Sequence, residues 1–356
     1  MKDREAMIMQ IWSRLMRGLL SAGLLFLPVS CNSYYEGKVS GHWDGSRFFN
    51  PGKPMEKSFI DLLKWKLGVR PEPWPAFAEL KAYDHPPRRV LGKELRISSV
   101  GHVTVLLQTG GVNILTDPVW SERVSPFSFL GPKRVHPPGV RFAQLPPVDV
   151  VLISHNHYDH LDLKTIRDLW LRDRPRIIAP LGNDRIIQRK YPDIAVETFD
   201  WGETAVINPE MAIHLEPMHH WSARSPFDHN KALWAAFVVA AEGGNIYFAG
   251  DSGYGQGDYF RAAREKFKEF RLAILPIGAY EPRWFMSYQH MNPAETVQAF
   301  HDLGGPMVLP THHSVFPLAD DGYAQPLGDL RAALAADGEA GKRFLPLLPG
   351  ASVTIR

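Results

Sequence analysis

His155, His157, Asp159 and His160 place four metal-ligating side chains within six consecutive positions, an H-x-H-x-D-H motif. Imidazole nitrogens mixed with carboxylate oxygens suit zinc, and they also suit iron or manganese. Four ligands this close cannot all face one point. On extended backbone His155 and His157 project to the same side, whereas Asp159 and His160 turn the other way as a helix begins. The spacing therefore points to two adjacent metals sharing one loop.

Three further apolar runs each deliver His or Asp to the turn that follows. Residues 211–218 end in His219-His220-Trp221, 245–250 run into Asp251-Ser252-Gly253, and 306–310 end in Thr311-His312-His313. Asp251 is the natural bridge between two ions, because a carboxylate presents two oxygens. The Ser252-Gly253 pair after it lets the backbone approach closely. A dinuclear centre of this kind lowers the pKa of a bridging water to give a hydroxide near neutral pH. It also polarises phosphoryl oxygens and holds a leaving alkoxide. No protein nucleophile is then required; the chain has no G-x-S-x-G elbow, and its single cysteine, Cys31, is remote from the motif.

These residues need strands to carry them. The run Val148–Ile153 is apolar and β-branched and reads as a buried strand, with the motif on the loop at its C-terminal end and a helix over 161–171. Strands are expected near 95–100, 103–108 and 112–116, followed by helix-strand units to the C-terminus. Strands and helices alternate in both halves, which suits an α/β arrangement (α+β, four layers) of two central sheets flanked by helices. The 356 residues are 45% hydrophobic, enough for one large core. A formal charge of +2 argues against a nucleic-acid partner, for which a basic face is needed.

The H-x-H-x-D-H motif, the later spaced histidine, the Asp in Gly250-Asp251-Ser252-Gly253 and the final histidine resemble the metallo-β-lactamase superfamily. The chain is most similar to its N-acylphosphatidylethanolamine-hydrolysing phospholipase D family. The stretches that carry this are Gly101–Val105, Leu115–Pro118, Gly131–Arg134, His220-Trp221, Phe248–Tyr254 and Pro276–Met286, within roughly residues 85 to 330. The resemblance implies an αβ/βα sandwich. It implies one metal, expected to be zinc, on His155, His157 and His220, and a second on Asp159, His160 and His312, with Asp251 bridging. The family's ligand directly precedes Trp, which selects His220 over His219; a Phe four residues on selects His312 over His313. It further implies a zinc-dependent phosphodiester hydrolase acting on a phospholipid substrate, with Asp159 and Asp251 orienting the nucleophile. His290 would contact the phosphate or protonate the leaving group. Asp117 is a candidate orienter of a ligand histidine, His102 reads as a buried, hydrogen-bonded core residue, and Arg283 is a candidate phosphate clamp. The same ligands would serve hydrolysis of a lactone, a cyclic phosphodiester or a phosphosugar. A lipoprotein binding module without turnover is the alternative of a different class.

At the N-terminus Arg14 and Arg17 precede the apolar run Leu19–Val29, too short to span a bilayer comfortably, which ends at Ser30-Cys31. Residues 1–31 are similar to a bacterial lipoprotein signal with Cys31 as the lipidated first mature residue, although Pro28 departs from the usual Leu. The expected location is the outward (periplasmic or extracellular) face of a membrane of the bacterial cell envelope. Residues 32–87 read as an extension, with one amphipathic helix over 59–67 turning Phe59, Leu62, Leu63 and Leu67 inward. Residues 88–356 read as the hydrolase domain. A bilayer substrate also needs an apolar entry, for which Trp120, Phe127, Phe129, Trp221, Trp284 and Phe285 are candidate walls.

Overall fold

Two mixed β-sheets face each other and are covered outside by helices, giving the four-layer αβ/βα sandwich. The computed structural model describes residues 33–52, 57–68, 72–338 and 340–356; the signal-like segment and Cys31 lie outside the described residues. The chain runs through α1 (Phe59–Leu67), β1 (Leu95–Gly101), β2 (Thr104–Thr109), β3 (Val112–Thr116), β4 (Val150–Leu152), α2 (Leu163–Asp173), β5 (Arg176–Pro180), α3 (Asn183–Lys190) and β6 (Glu197–Phe199). It continues through β7 (Thr204–Asn208), β8 (Met211–Glu216), β9 (Ala236–Ala241), β10 (Asn245–Phe248), α4 (Asp258–Phe267), β11 (Phe270–Pro276) and α5 (Arg283–Met286). It closes with α6 (Pro293–Asp302), β12 (Met307–Thr311), α7 (Gln325–Asp337) and β13 (Ser352–Ile355). One sheet has the order β13-β1-β2-β3-β4-β5-β6, the other β12-β11-β10-β9-β8-β7.

Strand periodicity explains the layers. In β4 and the residue after it, Val150 and Leu152 enter the core between the sheets, where they join Leu107, Ile114, Leu215, Phe237, Phe248 and Ile274. Val151 and Ile153 point the other way, into a second core shared with Ile166 and Leu169 of α2 and Ile187 of α3. A third core fills the outer face of the other sheet beneath α4, α6 and α7, where Trp234, Tyr247, Phe260, Phe300 and Leu330 pack. A strand buried on both faces is apolar at every position, which is why β4 reads as a continuous run rather than an alternating one.

The motif helix α2 starts at Leu163, two residues later than expected. Asp162 is its N-cap, accepting hydrogen bonds from the Lys164 and Thr165 amides. That cap leaves Asp159 and His160 in the turn before the helix, free of helical geometry. Asn292 likewise caps α6 through a capping box with Glu295, so His290 is not the capping residue.

The extension packs onto the domain through aromatic residues. Trp43 and Phe48 are 1% exposed within the third core, with ring centroids 4.5 Å apart. The expectation for α1 is corrected: Leu62, Leu63 and Leu67 are 38%, 42% and 83% exposed. Trp65 docks the helix instead, its ring 4.8 Å from Phe285 and its indole N–H donating to Asp320 Oδ2 at 2.9 Å. Leu62 and Trp65 share a face at three-residue spacing, whereas Leu63 and Leu67 lie on the neighbouring rows. Apolar spacing treats these residues alike; the indole has more area to bury and an N–H with a partner.

Candidate metal centre

All the ligand candidates leave the C-terminal ends of strands at one rim of the sandwich. His155 follows β4 by three residues, His220 follows β8 by four, Asp251 follows β10 by three, and His312 follows β12 directly. His155 Nε2 and His157 Nδ1 lie 2.8 Å apart, and His220 Nε2 is 3.2 Å from His157 Nδ1. In the second group Asp159 Oδ2 lies 3.3 Å from both His160 Nε2 and His312 Nε2. Asp251 Oδ2 stands between the groups, 3.0 Å from His312 Nε2, 3.1 Å from His160 Nε2 and 4.0 Å from His220 Nε2. The structure thus brings together all seven residues that the motif reading selected.

The donor set fits two divalent cations. His160 Nε2, Asp251 Oδ1, His312 Nε2 and His290 Nδ1 are buried without a hydrogen-bond partner. Leaving one such atom unsatisfied costs about 1–3 kcal/mol, and converging lone pairs are what a cation satisfies. Backbone geometry supports the convergence. Gly253 sits so close to the next loop that a Cβ there would lie 2.0 Å from the Tyr288 carbonyl oxygen.

Electrostatics divide the histidines by role. Burial pushes His155 and His157 well below the usual imidazole range, and the crowding of imidazoles around them presses the same way. His220 is pushed down to about 4, by burial above all. These three are neutral and offer lone pairs. Burial opposes ionisation of Asp159 and Asp251, yet His160 and His312 outweigh it and hold both carboxyls well below their usual range. Burial likewise disfavours charge on His312, but Asp251 and Asp159 raise it to about 9.

A pH dependence follows. His312 rises from 6.5 unfolded to about 9 folded, so its contribution to the metal-free fold is complete below 6.5 and lost as pH climbs through 9. Metal binding displaces that proton. The thermal midpoint of metal-free protein is expected to fall as pH climbs from 6.5 to about 9, and that of zinc-loaded protein to fall less. Parallel curves would contradict this proton-for-metal exchange.

Outer contacts aim the ligands. Asp117, with φ of 33°, accepts hydrogen bonds from the Ser154 amide at 2.7 Å, the Ser154 hydroxyl at 2.6 Å and His160 Nδ1 at 2.6 Å. His160 Nε2 is thereby turned toward the two carboxylates. His220 Nδ1 donates to the Gln289 carbonyl at 3.0 Å, and Asn50 Oδ1 of the extension accepts from the His220 amide at 3.3 Å. His290 is 9% exposed, with Nδ1 3.9 Å from Asp251 Oδ2. The unselected members of the doublets turn elsewhere: His219 stacks on Tyr259 and meets Asp258, and His313 Nδ1 meets the Ser314 hydroxyl.

Two expectations change, and a third, for His102, gains a role. His102 is buried as expected, but its Nε2 donates to Asp159 Oδ2 at 2.9 Å and its carbonyl accepts from the His312 amide at 3.1 Å, so it braces two ligands at once. The signal for it was a histidine following Gly101 between two strands; His102 sits at φ 59° in that tight turn. Arg283 is no phosphate clamp, because its Nη2 pairs with both Glu295 oxygens at 2.8 Å. Trp120 is not an entry wall: its indole N–H donates to the Val140 carbonyl and its ring packs edge-on against Phe142. Trp221 and Phe285 do line a cavity of about 630 Å³ that opens beside His220, and Trp284 is half exposed next to Phe285. Phe127 and Phe129 are exposed on a separate loop, 5.7 Å from each other.

Residues 112–313 match the family model described as a β-lactamase superfamily domain. The chain belongs to the metallo-β-lactamase superfamily. It is 35% identical over 283 residues to an uncharacterised protein of Mycobacterium tuberculosis, covering 78% of this chain and 74% of the other. It is also 35% identical over 246 residues to N-acyl-phosphatidylethanolamine-hydrolyzing phospholipase D 1 of Caenorhabditis elegans, covering 67% of this chain and 69% of that protein. Among solved structures, the metallo hydrolase Igni18 of Ignicoccus hospitalis superposes with a TM-score of 0.55 at 20% identity. It covers 74% of this chain and 99% of that one, a likeness of fold alone. Metallo-β-lactamase membership, together with the convergent donor groups, makes the protein a metal-dependent hydrolase.

Proposed function

We propose that this hydrolase is a dinuclear zinc phosphodiesterase of the phospholipase D type, acting on N-acylphosphatidylethanolamine-like lipids and releasing phosphatidic acid. The observation that carries the reading is the pairing of two ligand groups through Asp251 with an adjacent cavity. Apolar Leu62, Trp221 and Phe285 line that cavity together with cationic Arg47 and Lys57. A lipid phosphodiester presents the same combination of anion and hydrocarbon. The likeness to the nematode phospholipase D supports the same substrate class.

Bound cations would supply Lewis acidity toward the phosphoryl oxygens and lower the pKa of water. The protein's own part is positional. His155, His157 and His220 would hold one ion and Asp159, His160 and His312 the other, and the two carboxylates would offset the charge of both. Burial pushes His290, close to Asp251 and without a hydrogen-bond partner on Nδ1, well below the usual imidazole range, so it would take up a proton only as the substrate's negative charge arrives beside it and then pass it to the departing alkoxide. Replacing His290 with Gln is expected to lower kcat about 10²–10⁴-fold on an alkyl ester, as for loss of a general acid. A p-nitrophenyl ester, whose leaving group needs no proton, should lose much less. Equal losses on both would remove His290 from proton transfer.

The direct test presents zinc-loaded protein with mixed micelles of the lipid and, separately, with soluble phosphodiesters and lactones. Release of phosphatidic acid is expected; turnover confined to the soluble esters would refute the lipid assignment. We also place the protein on the outward face of an envelope membrane, anchored by lipid on Cys31. Changing Cys31 to Ala should then release the protein or leave an uncut precursor, read by fractionation and mass.

A further inference from the structure

The cavity beside His220 has one wall that the family match does not include. Its floor is His220, Trp221, Tyr288 and Gln289, all within the matched segment, while Arg47, Asn50, Lys57, Ser58 and Leu62 come from the extension. The extension is fastened there by Trp65 on Phe285 and Asp320, and by the Trp74 indole N–H donating to the Asp321 carbonyl at 3.0 Å. It is therefore part of the cavity's structure rather than a tether passing over it.

Lys57 is the unusual member of this wall. Its ammonium is buried and makes no hydrogen bond among the described residues, and it lies 4.2 Å from the centroid of the Phe285 ring. A buried ammonium without hydrogen bonds is costly, and a ring face offsets only part of that cost. The neighbouring charges compensate it only in part: Asp61 is its nearest opposing charge, and Asp44 on the same wall is held by Ser46 and Arg47. Arg283 adds positive charge but is committed to Glu295, and Asp61 is engaged by Ser58 as the other half of the α1 capping box. Burial, with Arg283 adding to it and Asp61 opposing, brings the Lys57 ammonium down to about 8. Arg47 lines the same space, with its backbone amide held by Asp44.

We infer that Lys57 is an anion-binding residue of the substrate cavity, taking a phosphate or carboxylate oxygen of an amphiphile whose hydrocarbon lies along Leu62, Trp221 and Phe285. The inference rests on reading this cavity as the substrate's approach to the metals. It assigns the extension a share in ligand recognition. The chemistry required of the ligand is an anion and an apolar chain in one molecule, because the cation and the apolar wall occupy one cavity. The same anion chemistry is available from free phosphate, which lacks the chain.

The test uses full-length, metal-free protein, so that it stands apart from any question of turnover. Calorimetric titrations compare decyl phosphate, neutral decyl maltoside and inorganic phosphate, each below micelle-forming concentration, on wild type, Lys57→Met and Lys57→Arg. A charge-assisted hydrogen bond lost from a buried site corresponds to a decrease in affinity of roughly 10- to 100-fold. That loss is expected for decyl phosphate on Lys57→Met, with little change on Lys57→Arg. Decyl maltoside should bind both variants as it binds wild type, which also shows that the cavity has kept its fold. Undiminished binding of decyl phosphate to Lys57→Met overturns the inference. Inorganic phosphate binding as tightly as decyl phosphate overturns it too, in favour of a free-phosphate site. Neither result bears on whether the zinc-loaded enzyme cleaves a phosphodiester, and failure of that assay would leave these affinities standing.

Discussion

Replacing Asp251 with Ala is expected to remove both metals together and to abolish measurable turnover. Asp251 alone of the seven ligands approaches His160, His312 and His220, and so reaches both groups. Its loss leaves five neutral or positively charged imidazoles and one carboxylate to hold two dications. Lewis-acid stabilisation of the transition state is worth several kcal/mol, so loss of the ions corresponds to a rate decrease of roughly 10³-fold or more. Elemental analysis after gel filtration would read the stoichiometry directly. A variant that kept two ions per chain would show that Asp251 does not bridge.

The second large effect is expected at a residue that touches no metal. Asp117→Asn keeps shape but loses an acceptor where three donors converge on Asp117: the Ser154 amide, the Ser154 hydroxyl and His160 Nδ1. Partners that orient a metal-bound histidine typically matter by 10–100-fold in metal affinity. Because Asp117 aims His160 directly and reaches His155 only through the Ser154 hydroxyl, the larger loss should fall on the second group. Zinc titration against a chelator is expected to give one tight and one weakened site, in contrast to the joint loss in Asp251→Ala. Equal weakening of both sites would place Asp117 in the general scaffold instead.

The two expectations differ in how far the sequence alone supports them. Ligands were legible because each stands at the end of an apolar run, and a strand end has one direction in which to send the next loop. The two-residue alternation of β4 separated the layers, since Val150 and Val151 enter different cores. The doublets were resolved only by the neighbouring Trp221 and Phe316, not by chemistry: His219 and His220 are equivalent as ligands until their surroundings are fixed. His102 stayed hidden because its role depends on a turn between β1 and β2 that brings it 57 positions along the chain to Asp159. Arg283 misled because a loop arginine beside a site has no sequence mark for its partner, which is a helical glutamate twelve residues on. For α1, spacing alone did not reveal which of its apolar residues dock against the domain and which stay exposed.

The placement of the centre on the rim where the two sheets meet has a mechanical meaning. Each ligand group draws on both halves: His155 and His157 follow β4 while His220 follows β8, and Asp159 and His160 belong to one sheet's loop while His312 follows a strand of the other. Filling either group ties together segments roughly 60 or 150 residues apart, a ring closure of the kind a disulfide makes in chains that have one. With its single cysteine at position 31, this chain has no intramolecular disulfide with which to do the same. Chelation should therefore loosen the register of the two sheets against each other as well as stop turnover. Ions held there would double as the rivets of the sandwich.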